Sequence, residues 1–474
     1  MNRIAAHAAY VPRNVLTRES AREAWPRLGM AVQSRAVPSL DEDVVTMGAE
    51  AALRALARAG LRGDELSAVF FASTSSPYVV KSAAALVGDY VGAPRTACVL
   101  DAGAGAHAGL LCLVNALRDR DLVERGPILV VAADAIFGPP NDASDLGFGA
   151  AAVAYVVAAE GFAVLEDFDF GYSSYANVWQ TPGDTHVRRY DDDRFDRSAG
   201  YAAQMTAGLD AFLARVPSEP DWYALQLAGT ADESRVAAAV PAGRLVGREL
   251  AQRIGDTGCA NTLLGLSLGL GRAAAGERVL ALAFGAGTVA ALLRADSADP
   301  AGEPLDTEAD GRVELSYVQY AKHRRLIPLA ALPDMGAPFA ASPAWEREKH
   351  FTVGLRGSRC VACGSLNFPQ RAYCLDCRGQ EFREEPLPRR AEVVTYNLQY
   401  VVGIGPEEAP LPICTALLEN EPAGRYGGKV AALVTDASVD AVKVGTKVEL
   451  VPRRGDVEDG LVKYGWKFRP LAAA

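Results

Sequence analysis

Four cysteines in the last third of the 474-residue chain constrain its fold more than any other sequence feature. They form two C-x2-C pairs separated by ten residues, namely Cys360, Cys363, Cys374 and Cys377. Two such pairs can hold one zinc ion in a tetrahedral sulfur cage, and four protein ligands leave no open position for a substrate. Gly364 and Gly379 follow the two pairs, and glycine suits the tight backbone of a zinc knuckle. The spacing therefore predicts a structural zinc ribbon.

Composition and charge argue against several classes of protein. The formal net charge is −10, which disfavours nucleic-acid binding because phosphate neutralisation needs a basic surface. The longest apolar stretch, Leu146 to Ala159, is too short to span a bilayer, and the N-terminus has no secretion signal. C-x2-C pairs in such a chain indicate metal binding rather than disulfides. We therefore expect a cytoplasmic protein that binds neither nucleic acid nor a membrane.

The N-terminal two thirds of the sequence repeat one order of elements. A strand pattern at Ala68 to Phe71 is followed by a loop of tiny residues, Asp101 to Gly109, which enters a helix. The order recurs with a strand pattern at Trp222 to Leu227 and a small-residue loop at Gly255 to Asn261. Alternating helices and strands favour an α/β fold, and the recurrence predicts an internal duplication.

The C-terminal third has a different organisation. Pro328 to Pro343 contains four prolines and no periodicity, which is typical of a linker. After the cysteines, short strand patterns separated by Gly, Pro and Asp indicate a small β-barrel. These patterns are Val393 to Val401, Lys429 to Val434, Lys447 to Val451 and Leu461 to Phe468. We expect a domain at 1–328, a linker at 329–348, the zinc ribbon at 349–385 and the barrel at 386–474.

Motifs spread in order through residues 1–328 carry a resemblance to a known family. They are Tyr10-Val-Pro-Arg13, Val37 to Met47, Ser76-Pro-Tyr-Val-Val-Lys81, Arg194-Phe195, Gly255-Asp256-Thr257 and Tyr317-Val-Gln-Tyr320. Together they resemble the thiolase superfamily, and within it the archaeal type of 3-hydroxy-3-methylglutaryl-CoA synthase. The resemblance implies a duplicated thiolase fold in five αβαβα layers and a homodimer formed through its sheet. It also implies an acyl-CoA or acyl-carrier substrate, with a coenzyme A thioester as substrate rather than as a bound cofactor.

The C-terminal third carries a second resemblance. Ser358-Arg-Cys-Val-Ala-Cys-Gly364 and Lys463 to Pro470 are similar to zinc-ribbon/OB-fold proteins that accompany thiolases and these synthases in acyl-transfer complexes. This resemblance implies an OB-fold for the barrel and a thiolase or another acyltransferase as partner.

The sequence departs from the synthase pattern at the family's catalytic positions. The position of the cysteine nucleophile is Ala106, and that of the general-base histidine is Gln226. The asparagine of the second elbow is Asp256, and the acid/base glutamate corresponds to Thr74. Without a thiolate at Ala106, a covalent acyl-enzyme cannot form at this position. We therefore expect an acyltransferase or C–C condensing protein with non-standard chemistry, in which Asp256 is a possible base, or a non-catalytic scaffold for a partner enzyme.

Three further groups have two interpretations each. Cys259 is either an alternative nucleophile or a small buried residue that packs at a helix start. His107 either points into the pocket or caps the helix. Lys322, Arg324 and Arg325 either meet the phosphates of coenzyme A or form a solvated helix end. A nucleic-acid-binding zinc-ribbon/OB protein is a third functional class, and the acidic charge argues against it.

Overall fold

The computed structural model describes residues 1–27, 29, 32–103, 105–175, 178–190, 195, 198–227, 233–300, 311–327, 341–400, 411–421 and 427–471. The chain divides into two compact units, Met1–Arg324 and Arg325–Ala474. Most of the predicted linker, residues 328–340, lies outside the described residues, as does Arg194 of the resemblance. The predicted domain boundaries stay predictions.

The first unit alternates strands and helices. Its strands are β1 (Arg3–Tyr10), β2 (Asn14–Thr17), β3 (Ser34–Val37), β4 (Ala68–Ala72), β5 (Cys98–Ala102), β6 (Ile128–Ala135), β7 (Ala150–Ala158), β8 (Ala163–Phe170), β9 (Val178–Trp179), β10 (Arg188–Arg189), β11 (Trp222–Leu225), β12 (Arg278–Gly285), β13 (Gly287–Ala295) and β14 (Val313–Glu314). Its α-helices are α1 (Arg18–Ala24), α2 (Val44–Ala59), α3 (Ala83–Val91), α4 (Ala108–Arg118), α5 (Arg120–Arg125), α6 (Ala143–Gly147), α7 (Tyr201–Leu213), α8 (Glu233–Ala238), α9 (Arg248–Ile254), α10 (Asn261–Arg272) and α11 (Tyr317–His323).

A nine-stranded mixed sheet organises the first unit, in the order β11-β12-β13-β8-β1-β7-β6-β4-β5. Two short register pairs between β1 and β8, Arg3 with Val164 and Ile4 with Ala163, join its two halves. In the first half, β6 pairs antiparallel with β7 and parallel with β4. In the second half, β12 pairs antiparallel with β13 and parallel with β11. In the second half, Leu245 forms a parallel bridge with Tyr223 of β11. It occupies the place that β5 has beside β4 in the first half. The predicted α/β duplication is confirmed.

Helices α4 and α10 occupy the equivalent places in the two halves. The first ten residues of α10 are all buried, and α4 buries Ala108, Gly109, Leu110 and most of its later residues. Helix α4 packs against β4 and β6 of the first half and also against β12 and β13 of the second. A helix that is apolar around its circumference belongs in such an interior layer. The starts of these two helices bring both small-residue loops into the middle of the unit.

The ends of the flanking helix α2 show how the sequence fixes local structure. Asp43 caps its N-terminus by accepting the N–H groups of Val45 and Thr46 at 3.0 and 3.1 Å. Gly60 ends the helix in the left-handed conformation, with φ of +66°, which glycine adopts without a steric cost. Buried residues in between, including Met47 and Ala51, cover the sheet.

The second unit contains two small sheets. Its elements are α12 (Ser342–Thr352), β15 (Arg356–Cys360), β16 (Leu366–Asn367), β17 (Phe382–Pro386), β18 (Arg390–Gln399), β19 (Leu411–Leu418), β20 (Lys429–Leu433), β21 (Lys447–Glu458) and β22 (Leu461–Pro470). The first sheet has the order β16-β15-β17 and the second β20-β19-β18-β21-β22. Strand β19 has no counterpart among the predicted strands.

The five-stranded sheet closes on itself. A parallel bridge joins Val434, directly after β20, to Phe468 in β22, so the two edge strands meet. Phe468 is fully buried in the core of this sheet. Helix α12 is attached through Trp345, whose indole N–H donates to the carbonyl of Tyr464 at 3.0 Å. A small closed β-structure therefore follows the ribbon, and its assignment to the OB-fold stays a prediction.

Within the described part of the chain, no helix combines the length and apolar character that crossing a bilayer requires.

Candidate active site and zinc ribbon

The four predicted zinc ligands converge in the second unit. Their sulfur atoms all lie within 4.8 Å of one another. The Sγ atoms of Cys360 and Cys377 are 3.6 Å apart, as are those of Cys363 and Cys374. Tetrahedral zinc with bonds of about 2.3 Å places its sulfur ligands roughly 3.8 Å apart, so the four thiols fit this ion. The donor set contains no open position, which makes the metal structural.

The two knuckles use the same backbone turn with different residues. Gly364, four residues after Cys360, has φ of +73° and donates its N–H to the Cys360 carbonyl at 2.9 Å. The corresponding residue after Cys374 is Arg378, which has φ of +67° and donates to the Cys374 carbonyl at 3.0 Å. Gly379 serves a different purpose than predicted. A Cβ there would lie 3.2 Å from the Cys360 sulfur, so glycine allows the backbone to approach the sulfurs closely.

In the first unit, the candidate site is centred on the turn between β5 and α4. Ala106 lies in this turn, half-buried, two residues before α4 begins. A Cβ at Gly109 would approach the Cys259 carbonyl oxygen to 2.2 Å, and one at Gly105 would approach Gly285 Cα to 3.0 Å. The Ala106 turn therefore contacts both the loop before α10 and the turn between β12 and β13.

Asp256 is a buried carboxyl group in the loop before α10. Its Oδ1 accepts the N–H of Gly258 at 3.0 Å and the Nδ2–H of Asn261 at 2.8 Å. Burial raises the pKa of Asp256 to about 6, and the negative charges of Asp134 and Glu233 act in the same direction, against the two hydrogen bonds. A carboxyl group with this pKa can exchange a proton near neutral pH. Asp256 therefore has the properties of a general base or acid.

The backbone around Asp256 is fixed on both sides. Its N–H donates to the Gly147 carbonyl at 2.8 Å, and its own carbonyl accepts the N–H of Gly149 at 2.7 Å. Asn261 extends this network. Its Nδ2–H donates to the Leu227 carbonyl at 2.8 Å, and its Oδ1 accepts the Leu227 N–H at 2.9 Å. The carboxyl group is thus held rigidly between the end of β11 and the start of β7.

Asp134, which the sequence analysis did not select, connects the two loops of the site. It is fully buried at the end of β6, and its carboxylate accepts hydrogen bonds from six donors. Five donors belong to Ser73, Thr74 and Ser75, and the sixth is the backbone N–H of Cys259. A buried charge is stable only with such compensation. The only sequence signal was an acidic residue in an apolar strand pattern.

Thr74 and Gln226 have side chains that are engaged in the fold. The hydroxyl of Thr74 donates to Asp134 Oδ2 at 2.9 Å. The Oε1 atom of Gln226 accepts the N–H of Phe284 at 2.8 Å, and the Gln226 N–H donates to the Leu282 carbonyl at 2.9 Å. Gln226 thus extends the pairing of β11 with β12 beyond the last residue of β11. Neither side chain is a proton carrier near neutral pH.

The geometry at Cys259 favours packing over nucleophilic chemistry. The side chain is almost completely buried, and its thiol donates to the Gly105 carbonyl at 3.5 Å. Burial raises the pKa of Cys259 well above the ordinary value, and the neighbouring Asp134 carboxylate raises it further. The reactive thiolate form is therefore disfavoured.

His107 lies at the N-cap position of α4 without capping the helix through its side chain. Its Nδ1 accepts the N–H of Ala286 at 3.2 Å, in the turn between β12 and β13. Burial lowers the pKa of His107. The imidazole is therefore directed to the second half of the duplication, beside Ala106.

The basic residues near the end of α11 have different environments. The side chain of Arg324 is 2% exposed and donates to Asp145 Oδ1 at 2.7 Å and to the Gly138 carbonyl at 3.1 Å. Arg324 was expected to be a phosphate ligand, whereas its guanidinium is enclosed here and paired with a buried carboxylate. Lys322 is half-buried, and Arg325 is exposed.

Known proteins resemble about two thirds of this chain. The hydroxymethylglutaryl-CoA synthase of Thermococcus sibiricus is 28% identical over 335 residues, which cover 68% of this chain and 95% of that protein. The synthase of Methanosarcina acetivorans is 26% identical over 353 residues, covering 69% of this chain and 99% of that protein. The N-terminal part is homologous to hydroxymethylglutaryl-CoA synthases.

Solved structures show the same fold. A hydroxymethylglutaryl-CoA synthase complexed with CoA superposes with a TM-score of 0.62 at 18% identity, covering 72% of this chain and 94% of that chain. A 3-oxoacyl-(acyl-carrier-protein) synthase III gives 0.54 at 21% identity, covering 62% and 99%. The synthase-like unit therefore has a thiolase-like fold.

The second unit matches a different family. Residues 354–383 correspond to the family described as ChsH2, rubredoxin-like zinc ribbon domain. This range contains all four cysteines, so the zinc ribbon is confirmed by the family match and by the geometry together.

Proposed function

We propose that the synthase-like unit binds an acyl thioester of coenzyme A or of an acyl carrier and serves acyl transfer or C–C condensation without a covalent acyl-enzyme. The observation that carries this proposal is the buried Asp256 carboxyl group, whose pKa is raised to about 6, on the loop that contacts the start of α4. The resemblance assigns the nucleophile position to Ala106, in the turn before that helix. By the resemblance, this site has alanine at the nucleophile position and aspartate, Asp256, at the position of the family's asparagine.

The proposed reaction assigns Asp256 the role of general base. An acceptor group attacks the thioester carbonyl carbon directly, its bond to carbon forms, and its proton passes to the Asp256 carboxylate. The carbon–sulfur bond then breaks, and the leaving thiolate takes up this proton. General-base catalysis of this kind contributes about 10²- to 10⁴-fold to a rate. In this reaction the acyl group passes directly from the thioester to the acceptor and is never attached to the protein. The site must therefore bind the thioester and the acceptor at the same time.

A non-catalytic scaffold is the second candidate. The side chains of Thr74 and Gln226 are engaged in structural hydrogen bonds, and Cys259 is enclosed. A unit with these properties could retain the thioester pocket while a thiolase or another acyltransferase performs the chemistry. The fused zinc ribbon supports an assembly of this kind, with the metal as a structural element.

We also propose that the synthase-like unit forms a homodimer through β5. This strand is one edge of the nine-stranded sheet, and its first four residues are exposed. Val99 and Leu100 are 45% and 44% exposed, although both belong to an apolar strand. Unpaired edges with apolar side chains favour pairing with another strand. A second copy of the chain can supply that strand in the equivalent register.

Radiolabelled acetyl-CoA distinguishes the two candidate functions. The purified chain is incubated with the thioester and acceptors, alone and together with proteins encoded by neighbouring genes. Turnover by the chain alone that Asp256→Asn abolishes supports the enzyme, and the exposed Asp210→Asn variant is the matched control. Activity that requires a partner and survives Asp256→Asn supports the scaffold. A stable acetyl adduct on Cys259 contradicts both.

The variant Ala106→Cys gives a second readout. A thiol at position 106, directly before the N-cap residue of α4, lies near the free backbone N–H groups at the helix start, which favour the thiolate. We expect acetylation of this cysteine by acetyl-CoA, located by peptide mass spectrometry, with the exposed Ala207→Cys variant as control. Equal labelling of both cysteines would show that the Ala106 turn does not face a thioester site.

A further inference from the structure

We propose that His107 is a fixed hydrogen-bond donor of this site, which presents Nε2–H to the carbonyl oxygen of the bound thioester. This inference rests on the proposed thioester-binding function. The resemblance gave His107 no role, and its position next to Ala106 is determined by two contacts on the other half of the duplication.

The tautomer of His107 follows from its partner. The Ala286 backbone N–H is a donor under all conditions, and it is directed at Nδ1 over 3.2 Å. Nδ1 must therefore carry a lone pair, and the proton of the neutral imidazole must lie on Nε2. Protonation of Nδ1 would place two N–H groups against each other, so this contact opposes the imidazolium. The lowering of the His107 pKa by burial acts in the same direction.

Glycines hold the imidazole ring in place. A Cβ at Gly285 would lie 2.0 Å from Nδ1, 2.9 Å from Cε1 and 3.0 Å from Cγ of His107. A Cβ at Gly105 would lie 3.0 Å from the same Nδ1. The Nδ1 edge of the ring therefore fits against a backbone without side chains, and its position is sterically defined. Among the residues that the structure describes, Nε2 has no hydrogen-bond partner.

A neutral imidazole fixed in this way is suited to stabilise developing negative charge. The carbonyl oxygen of a thioester becomes negative when an acceptor attacks, and a donor that is already oriented stabilises this charge without reorganisation. His107 cannot act as a base through Nδ1, because that lone pair is occupied. It therefore complements Asp256, which accepts the proton, and it is assigned as a carbonyl-polarising residue.

Nitrogen-15 NMR of the full chain labelled at histidine tests the tautomer first. We expect the His107 resonances of the free protein to be those of the Nε2–H form, assigned by their loss in His107→Gln. Resonances of the Nδ1–H form would overturn the inference, whatever the protein binds. This measurement does not depend on the proposed function.

The ketone analogue of acetyl-CoA, with a methylene group in place of the sulfur, tests the contact. Calorimetry establishes whether the analogue binds, and its failure to bind overturns the proposed function together with the contact inferred here. If it binds, we expect the His107 Nε2 resonance to shift while the Nε2–H form is retained. Binding without a change at Nε2 overturns the donor role and leaves the proposed function standing.

Two substitutions separate donation from a structural role. The amide of His107→Asn can accept the Ala286 N–H but does not reach as far as Nε2, whereas the longer amide of His107→Gln can place an N–H near the Nε2 position. A donor role predicts at least tenfold weaker binding of the ketone analogue by His107→Asn and partial recovery in His107→Gln. Recovery by asparagine and not by glutamine would show that only the Ala286 contact matters and would overturn the proposal. Thermal denaturation of both variants monitors folding.

Discussion

The backbone N–H of Cys259 donates to Asp134 Oδ2 at 2.8 Å, and this bond connects two loops that are 125 residues apart in sequence. The same carboxylate accepts hydrogen bonds from Ser73, Thr74 and Ser75. A Cβ at Gly258 would lie 2.3 Å from Asp134 Oδ2, so glycine is needed for this close approach. Asp134 therefore fixes the loop that carries Asp256 relative to the Thr74 loop.

Replacement of Asp134 by asparagine should destabilise the synthase-like unit. Asparagine offers one acceptor oxygen, and its amide N–H groups would face donors that the carboxylate now satisfies. Unsatisfied buried donors cost about 1–3 kcal/mol each, so we expect a loss of at least about 2 kcal/mol and a lower Tm. Differential scanning calorimetry measures this, with the exposed Asp210→Asn as control. An unchanged Tm would contradict the role assigned to Asp134.

Asp256→Asn should have a stabilising effect that depends on pH. The folded-state pKa of Asp256 is raised to about 6 from 3.8, so the folded chain holds the proton more strongly than the unfolded chain. The resulting stabilisation is complete below about pH 3.8 and is lost as the pH rises through 6. Above pH 6 the ionised carboxylate costs up to roughly 3 kcal/mol.

The test compares the Tm of the two proteins at two pH values. We expect Asp256→Asn to exceed the wild-type Tm by more at pH 8 than at pH 5, because asparagine removes the buried charge. The hydrogen bond to its Oδ1 from Gly258 can be retained. A Tm difference that is the same at both pH values would show that Asp256 has no raised pKa.

Removal of zinc should affect the second unit selectively. We expect about one zinc ion per chain by elemental analysis, because the four sulfurs form one closed site. Cys374→Ser should lose the metal, and the ribbon should then be cleaved rapidly by protease. The control is Cys98→Ser, which alters an exposed cysteine on β5. Retention of full zinc content by Cys374→Ser would contradict the site.

Leu100→Glu should weaken the proposed homodimer. The charged side chain would lie on the exposed edge strand, where burial against a second strand costs solvation energy. Sedimentation velocity should show a dimer for the wild type and a monomer for the variant. Val318→Glu, on the exposed face of α11, should remain dimeric. A monomeric wild-type protein would disprove the proposed interface.

The sequence by itself determined the features whose information is local. The ligands of the zinc ribbon lie within eighteen consecutive residues, so their spacing alone specified the site. The small-residue loops at 101–109 and 255–261 indicated the duplicated fold, because helix starts that approach other backbones require tiny side chains. The resemblance also assigned the nucleophile position to Ala106 without a structure, and this assignment stays a prediction.

Only the tertiary structure decided how the distant residues of the candidate site are placed relative to one another. Burial sets the pKa of Asp256, and a contact across 179 residues selects the tautomer of His107. Arg324 had the sequence context of a solvated helix end, yet its partner Asp145 lies 179 residues away inside the fold. Likewise, the convergence of Asp134 with the Cys259 loop results from sheet order and helix packing. No sequence spacing encodes these relationships, because they depend on which chain segments fold against one another.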